Sequence, residues 1–417
     1  MNEYNPQITD TVTGYNFEWP DLNLKATVSH IHSSWRGLSA EIDLYHEDLG
    51  MLRGAVELTL GSQSGSRDLV SSIKRRVKDS LDYDWDRIVE AICVSTKRRY
   101  RTANVEKLNL LHYMVDRQDR YCLYPYVMHG SINVLYGQPG SLKSYFALSL
   151  GISIQTGHDI VGFSPTCKHQ MCYIDWEDGP DEHGVRARRI LTGKNLAVEV
   201  DDLAYIRAHQ GLPILIDDLQ PAIAGCDLVC IDSAVLAGGG DPNSDDTVRA
   251  VSNALRQLNA TVILIGHDTK DGNRGMRGSK MWTAMCRNAF EVKVHSDPGQ
   301  SELFAVMYHR KSNRGAKHKS VGYQIVFDDD ADSTFFNRSD EALTVSPTLS
   351  AELSVKERID SVLTEAMSTK DLIDAIGSDV SAKTVSNTLT RYAKKGVYTK
   401  VGYRPLWGKG LSYSNGR

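Results

Sequence analysis

The sequence lacks any apolar run approaching the roughly 18–20 residues that cross a bilayer, so a membrane-embedded chain is not expected. Basic charge is not in excess: 48 Lys and Arg stand against 52 Asp and Glu, a net −4. That balance excludes a histone-like coat for nucleic acid and confines any such contact to local patches. Cysteine is sparse and unpatterned. The seven, at 93, 122, 167, 172, 226, 230 and 286, are odd in number and form no CxxC. They read as reduced, mostly buried thiols, not as a disulfide frame or a zinc site. The opening Met1–Pro6 lacks the basic and apolar regions of a signal peptide, and a cytoplasmic protein is expected. No internal repeat is visible. What is present is length and core-forming material. The 417 residues are too many for one ordinary domain, and 41% hydrophobic with 24% charged residues is not a disordered composition.

Four segments are expected, in an α/β chain whose central sheet is mainly parallel. Residues 1–120 open with alternating runs at Leu24–Ile31, Ala40–His46 and Leu52–Gly61, then helical patterns over Leu69–Leu81 and Trp85–Tyr100. This is a small α+β domain without a catalytic motif, and its basic run Lys97–Arg101 reads as a solvated helix end. In 121–330, near-continuous apolar strands alternate with amphipathic helices. Ile132–Tyr136, Gln170–Asp175, Leu228–Asp232 and Thr261–Gly266 have the content of parallel strands buried on both faces. Ala289–His295, Leu303–His309 and Val321–Phe327 are joined by shorter connections that suit an antiparallel extension. Residues 331–351 read as a linker. The tail, 352–417, patterns as three helices and a hairpin, the layout of a winged helix-turn-helix. Ser368 and Ser381 stand where N-caps belong, and eight Lys or Arg lie after residue 380 with no acid among them.

The chemistry concentrates in 121–330. Strand Ile132–Tyr136 runs into Gly137-Gln138-Pro139-Gly140-Ser141-Leu142-Lys143-Ser144, and a helix follows. A strand, a glycine turn and a helix N-terminus present backbone N–H groups and a positive dipole end to a polyphosphate. Lys143 is placed to reach the β- and γ-phosphates of ATP, and the Ser144 hydroxyl to hold Mg²⁺. Leu142 stands where glycine is expected, and its Cβ must be fitted into a tight, left-handed position at a cost of about 1 kcal/mol or more. Asp175-Trp176-Glu177-Asp178-Gly179 ends the next apolar strand, where ligand crevices of parallel sheets form; Glu177 is the expected general base for the attacking water. Asp178 and Asp181 suit helix capping better. Leu228–Asp232 is an apolar strand ending in a carboxylate, the pattern that completes a Mg²⁺ site. His267, after Thr261–Gly266, is either a γ-phosphate sensor or a neutral histidine satisfied by a loop carbonyl.

These residues, in this order, resemble the RecA-fold ATPases. The closer similarity is to the RepA-like branch of hexameric helicases of plasmids and phages, relatives of the DnaB and KaiC groups. It rests on Tyr136–Ser144, Glu177-Asp178-Gly179, Cys230–Ser244 and Arg277-Gly278-Ser279, and covers about 121–328. The resemblance implies phosphate and metal binding by Lys143, Ser144 and Asp232, catalysis by Glu177, and sensing by His267. It also implies basic fingers, here Arg314 and Lys311 with Arg310 in reserve, that act on a neighbour's ATP in a ring. Two glycine-rich segments, 236–241 and 269–280, would face the ring centre. Lys270, Arg274, Arg277 and Lys280 would contact single-stranded DNA there, tracking its backbone. In the tail, Lys383, Arg391 and Lys394 would meet duplex DNA if the winged helix is not a protein-docking module.

Two functions follow as expectations. One is an ATP-driven, homohexameric DNA helicase of a phage or mobile-element replication system. The other is a RadA- or KaiC-like ATPase serving as recombination mediator or DNA-binding regulator without unwinding.

Overall fold

The structure is a computed structural model, and it describes residues 4–11, 14–34, 37–78, 80–103, 120–196, 203–268, 275–377, 379–402 and 406–410. The chain divides into two compact units. One is Met1–Met114 with Asp217–Ala222; the other is Val115–Ile216 with Ile223–Arg417.

In the first unit, strands β1 (Gln7–Asp10), β2 (Tyr15–Trp19), β3 (Leu24–Ser34), β4 (Gly37–His46) and β5 (Gly50–Thr59) form an antiparallel sheet in sequence order. Alternation drives it: in β2 and β3, Tyr15, Phe17, Trp19, Leu24, Ala26 and Val28 are all buried, while intervening residues face water. Helices α1 (Gln63–Val77) and α2 (Trp85–Ala103) cover that face with Leu69, Ile73, Ile88 and Ile92. Strands β1 and β2 were not expected from the sequence: β1 is short and mostly exposed, and β2, though alternating, is only five residues long.

The second unit is built on a nine-stranded sheet. After the hairpin β6 (Tyr121–Leu123) and β7 (Val127–Met128) come β8 (Ile132–Gly137), α3 (Lys143–Thr156), β9 (Met171–Asp175), α4 (Pro180–Thr192), β10 (Ala204–Arg207) and α5 (Leu212–Ala222). Then follow β11 (Leu228–Asp232), α6 (Ala234–Gly238), α7 (Asp245–Gln257), β12 (Thr261–His267), α8 (Met281–Met285) and β13 (Asn288–His295). The order is β10-β9-β11-β12-β8-β13, all parallel. Three antiparallel strands complete it: β14 (Glu302–Ser312), β15 (Val321–Asp328) and β16 (Ser333–Arg338). Every residue of β8, β9 and β11 is buried, which accounts for their unbroken apolar spelling.

Strand β16 corrects the linker expected over 331–351. Ser333–Arg338 ladders onto β15, and Phe336 packs into the main core. A polar, Ser- and Asp-rich spelling hid an edge strand whose inward residues are few. Strand β10 also went unread, because its four residues are only partly buried.

A short helix α9 (Pro347–Ser350) leads to the C-terminal elements: α10 (Val355–Val362), β17 (Met367–Ser368), α11 (Thr369–Ile376), α12 (Ala382–Ala393), β18 (Tyr398–Val401) and β19 (Leu406–Lys409). The strands pair as β17-β19-β18. Ser354, Ser368 and Ser381 each accept an N-cap hydrogen bond, and Glu357 completes a capping box with Ser354. Their core is Ile359, Leu363, Leu372, Val385, Leu389, Tyr398 and Trp407. Among the described residues no helix is long and apolar enough to cross a membrane.

A buried polar cross-link holds β13 beneath the hairpin β6–β7. Asn288, fully buried, donates to the carbonyls of Pro125 (3.0 Å) and Tyr126 (2.8 Å) and accepts from His309 Nε2 at 2.7 Å. Burial pushes His309 down to about 4, so the ring is neutral at pH 7, and its Nδ1 accepts from the His318 amide. Asn288→Ala strands three polar groups at once. We expect it to destabilise this unit by about 2–4 kcal/mol, read as a lowered urea midpoint with unchanged m-value.

Candidate nucleotide site

Four strand ends meet at one edge of the sheet. In the ladders Asp232 lies opposite Asp175, and His267 opposite Gly137. The ends of β8, β9, β11 and β12 therefore share one level, and the loops leaving them surround one crevice.

The loop between β8 and α3 is shaped by backbone demands. At Gly137 a Cβ would meet the Val292 carbonyl oxygen at 2.3 Å, so only glycine fits. Gly140 has φ +76°. Leu142 is the N-cap of α3 at φ 61°, ψ 23°, the left-handed conformation its place in the loop requires, and it retains that strain of roughly 1–2 kcal/mol with its side chain against the main core. Gln138, Pro139 and Gly140 are exposed and Ser141 is buried. The amide of Ser141 donates to the Gln138 carbonyl at 3.2 Å.

Lys143 Nζ donates to the same Gln138 carbonyl at 2.8 Å, arching back over the loop. The lysine is 6% exposed. Burial lowers its pKa, while Asp232, Glu177 and Asp268 oppose that shift. Ser144 Oγ donates to Asp232 Oδ2 at 2.6 Å, and Tyr173 OH donates to the same oxygen at 2.8 Å. Asp232 is 3% exposed; burial raises its pKa, and the two hydroxyl donors pull it back. A hydroxyl and a carboxylate oxygen side by side are hard ligands of the kind Mg²⁺ takes, so the residues present fit that ion.

Glu177 stands beyond Asp232. Its Oε1 accepts from Ser233 Oγ and, at 3.3 Å, from His267 Nε2. The His267 hydrogen bond, with help from Ser233 and Lys143, holds the Glu177 carboxyl below its ordinary range against the desolvation that opposes it. Of the two readings of His267, then, the structure places its ring on the carboxylate. Beneath Glu177, Asp175 is fully buried: it accepts from the Glu177 amide at 2.9 Å and from Tyr205 OH at 2.9 Å, with His183 Nε2 at 3.2 Å. Tyr173, His183 and Tyr205 thus form a floor that sequence reading missed. Only the aromatic content of the strands hinted at it.

Other expected residues lie elsewhere. Lys270 and Arg274 fall outside the described residues. Arg277 and Lys280 are exposed, on a segment tied down on both sides. The Arg277 amide donates to the His267 carbonyl at 2.7 Å, the Ser279 amide to the Pro242 carbonyl at 3.0 Å, and Ser279 Oγ to Asp245. The end of the second glycine-rich segment is therefore bonded to Pro242 and Asp245, just after the first. Lys311 Nζ donates to the Thr283 and Ala284 carbonyls at 2.7 and 3.0 Å, and Arg314 to the Arg120 and His129 carbonyls at 2.7 and 3.3 Å. Both lie at the start of β8 and β13, where Lys311 pairs with Ala289. Ala289 is level with Val134, three residues or about 10 Å short of Gly137 along β8, and both side chains are bonded to carbonyls at that far end, so neither is in its own chain's crevice. Arg310 is removed from the finger candidates: it is an ion bridge to Glu291 (2.5 Å) and Glu352 (2.6 Å). Lys383, Arg391 and Lys394 are exposed on or just after α12, within about 80° of one another at 100° per residue.

Residues 101–273 match the family described as AAA domain. That segment is less than half of the chain, and it contains the loop 137–144, Glu177, Asp232 and His267. The chain therefore carries an AAA-type domain of the P-loop ATPase kind. No curated protein matches the chain.

The hydrogen bond from His267 yields a pH prediction. With a depressed pKa, Glu177 is fully ionised above the ordinary glutamate range and is lost as base only when pH falls through the lower value. His267→Ala removes the largest cause of that depression. The acid limb of kcat/KM for ATP should then move to higher pH, whereas Glu177→Gln should keep nucleotide binding and lower kcat by roughly 10²–10⁴.

Proposed function

We propose that this chain is an ATP-hydrolysing, ring-forming DNA helicase of a phage or mobile-element replication system, acting on single-stranded DNA. One observation carries the reading: Lys143, Ser144, Asp232, Glu177 and His267 converge on one crevice, while the finger candidates Lys311 and Arg314 sit at the opposite end of the sheet. Such a site is completed by a second copy whose far edge meets the crevice. The resemblance of 121–328 to hexameric helicases points the same way.

The residues divide the work. Lys143 exchanges the Gln138 carbonyl for β- and γ-phosphate oxygens, and the amides of 137–144 line the phosphates. Ser144 and Asp232 would hold Mg²⁺, which when bound would neutralise charge on the phosphoryl oxygens. Glu177 orients the water and takes its proton as the water oxygen bonds to the γ-phosphorus and the bridging oxygen departs with ADP. His267, hydrogen-bonded to that base and followed by the segment leading to Arg277, transmits the loss of the γ-phosphate to both glycine-rich segments. Arg277 and Lys280, with Lys270 and Arg274, would track the DNA backbone. The C-terminal elements are read as a winged helix whose α12 presents Lys383, Arg391 and Lys394 to duplex DNA.

Two measurements test this. Subunits carrying Arg314→Ala, with turnover lowered roughly 10³-fold, should regain part of it when mixed with Lys143→Ala subunits. The absence of any recovery would place the finger in cis or remove it. On a forked duplex, ATP-dependent strand separation is expected; turnover stimulated by single strands without separation would favour the mediator reading.

A further inference from the structure

At the end of the sheet opposite the crevice, side chains far apart in sequence come together. Ligand atoms of Cys122, His129 and His169 all lie within 4.8 Å of one another. Backbone pairing builds the cluster: the Thr166 amide donates to the Cys122 carbonyl at 2.8 Å, which lays the stretch 166–169 against the hairpin β6–β7. Cys122 is fully buried and in thiol contact with Cys167. His169 Nδ1 lies 3.3 Å from Asp227 Oδ2. Its Nε2 is buried and has no hydrogen-bond partner among the described residues. A carboxylate behind one ring nitrogen, with the other buried and unbonded and a thiol and a second imidazole close by, is the setting of a metal-binding histidine. The rings of His129 and His169 lie 5.3 Å apart, and a cleft of about 310 Å³ lined by His129, Ser131, Asp227 and Thr261 opens beside them. That cleft supplies an entry path.

We propose that this cluster is a zinc site, with Cys122, His129 and His169 as ligands. The donors choose the ion: thiolate sulfur and imidazole nitrogen suit Zn²⁺ and exclude the hard Mg²⁺ of the crevice. Closing from the present separations to a tetrahedral set needs side-chain movements of about 1 Å, given Zn–N near 2.0 Å and Zn–S near 2.3 Å. Binding exchanges the Cys122 S–H proton for the metal. A cysteine thiol is protonated at neutral pH, so each ion bound there releases that proton to solvent. The site clasps the hairpin β6–β7 to the loop before β9. Arg314 docks on the His129 and Arg120 carbonyls of that hairpin, so the clasp also sets the platform of the proposed finger. Sequence spacing gave no signal, because the ligands come as a Cys-x6-His pair and a Cys-x-His pair with 37 residues between them.

The test uses the full chain purified without added metal or chelator. Elemental analysis should find about one Zn²⁺ per chain. After chelation, Co²⁺ should restore a thiolate-to-metal charge-transfer band with release of protons. Cys122→Ser should abolish the band, and His169→Gln should weaken Co²⁺ affinity at least tenfold. Should Cys122→Ser fail to fold, His169→Gln and the proton count on the wild-type chain decide. No charge-transfer band at stoichiometric Co²⁺, an unchanged band in either variant, or recovery of Cys122 and Cys167 as a disulfide would overturn the site.

Discussion

The 2.6 Å hydrogen bond between Ser144 and Asp232 is the contact on which the rest of the crevice depends. Ser144 begins the helix after β8, and Asp232 ends β11, two places away in the sheet. Their meeting requires β12 to be inserted between those strands and all three to run the same way. It also requires the 137–144 loop to turn back over the sheet edge. The parallel ladder supplies the first condition, and Gly137, Gly140 and the left-handed Leu142 supply the second. Asp232 can stay buried because Ser144 and Tyr173 both donate to it, which offsets the penalty of desolvating a carboxylate.

On the proposed function, chemistry and assembly would be divided between the two ends of the same sheet. At the carboxyl ends stand Glu177, Asp232, His267 and the triphosphate loop. At the amino ends stand Lys311, Arg314 and the Cys122 cluster. Strand β8 joins them: its last residue opens the loop, while Ser131, just before its first, accepts from Arg314. If the proposed assembly forms, the hydrolytic site would stay half-finished until another copy arrives.

Much of this was legible in the sequence, for physical reasons that can be traced. Doubly buried strands spell themselves as apolar runs, so β8, β9, β11 and β12 were located to within a residue, and the residues that terminate them were recognised as one site. Caps at Ser368 and Ser381 marked two of the tail helices. The failures share a cause as well. β16 is an edge strand and β10 a partly exposed one, and neither needs an apolar run. Arg310 looked like a mobile cation because its partners, Glu291 and Glu352, are 19 and 42 residues away. The Tyr173–His183–Tyr205 floor and the Cys122 cluster are likewise made by distant residues, and periodicity carries no information about them.

Glu352 binds Lys293 at 2.7 Å and Arg310 at 2.6 Å, and these lie on β13 and β14, next to β8 in the sheet. Burial opposes its charge, but the two cations outweigh it and hold the carboxyl below its ordinary range. Two residues later the chain enters the first of the tail helices, and Glu357 on that helix accepts from the Ser320 amide. Two ion pairs therefore tie the segment before the tail helices to β13, the strand beside the one that carries the 137–144 loop. On the proposed function, a pull on the tail would be felt at the strands around the crevice through these bonds rather than through a slack tether.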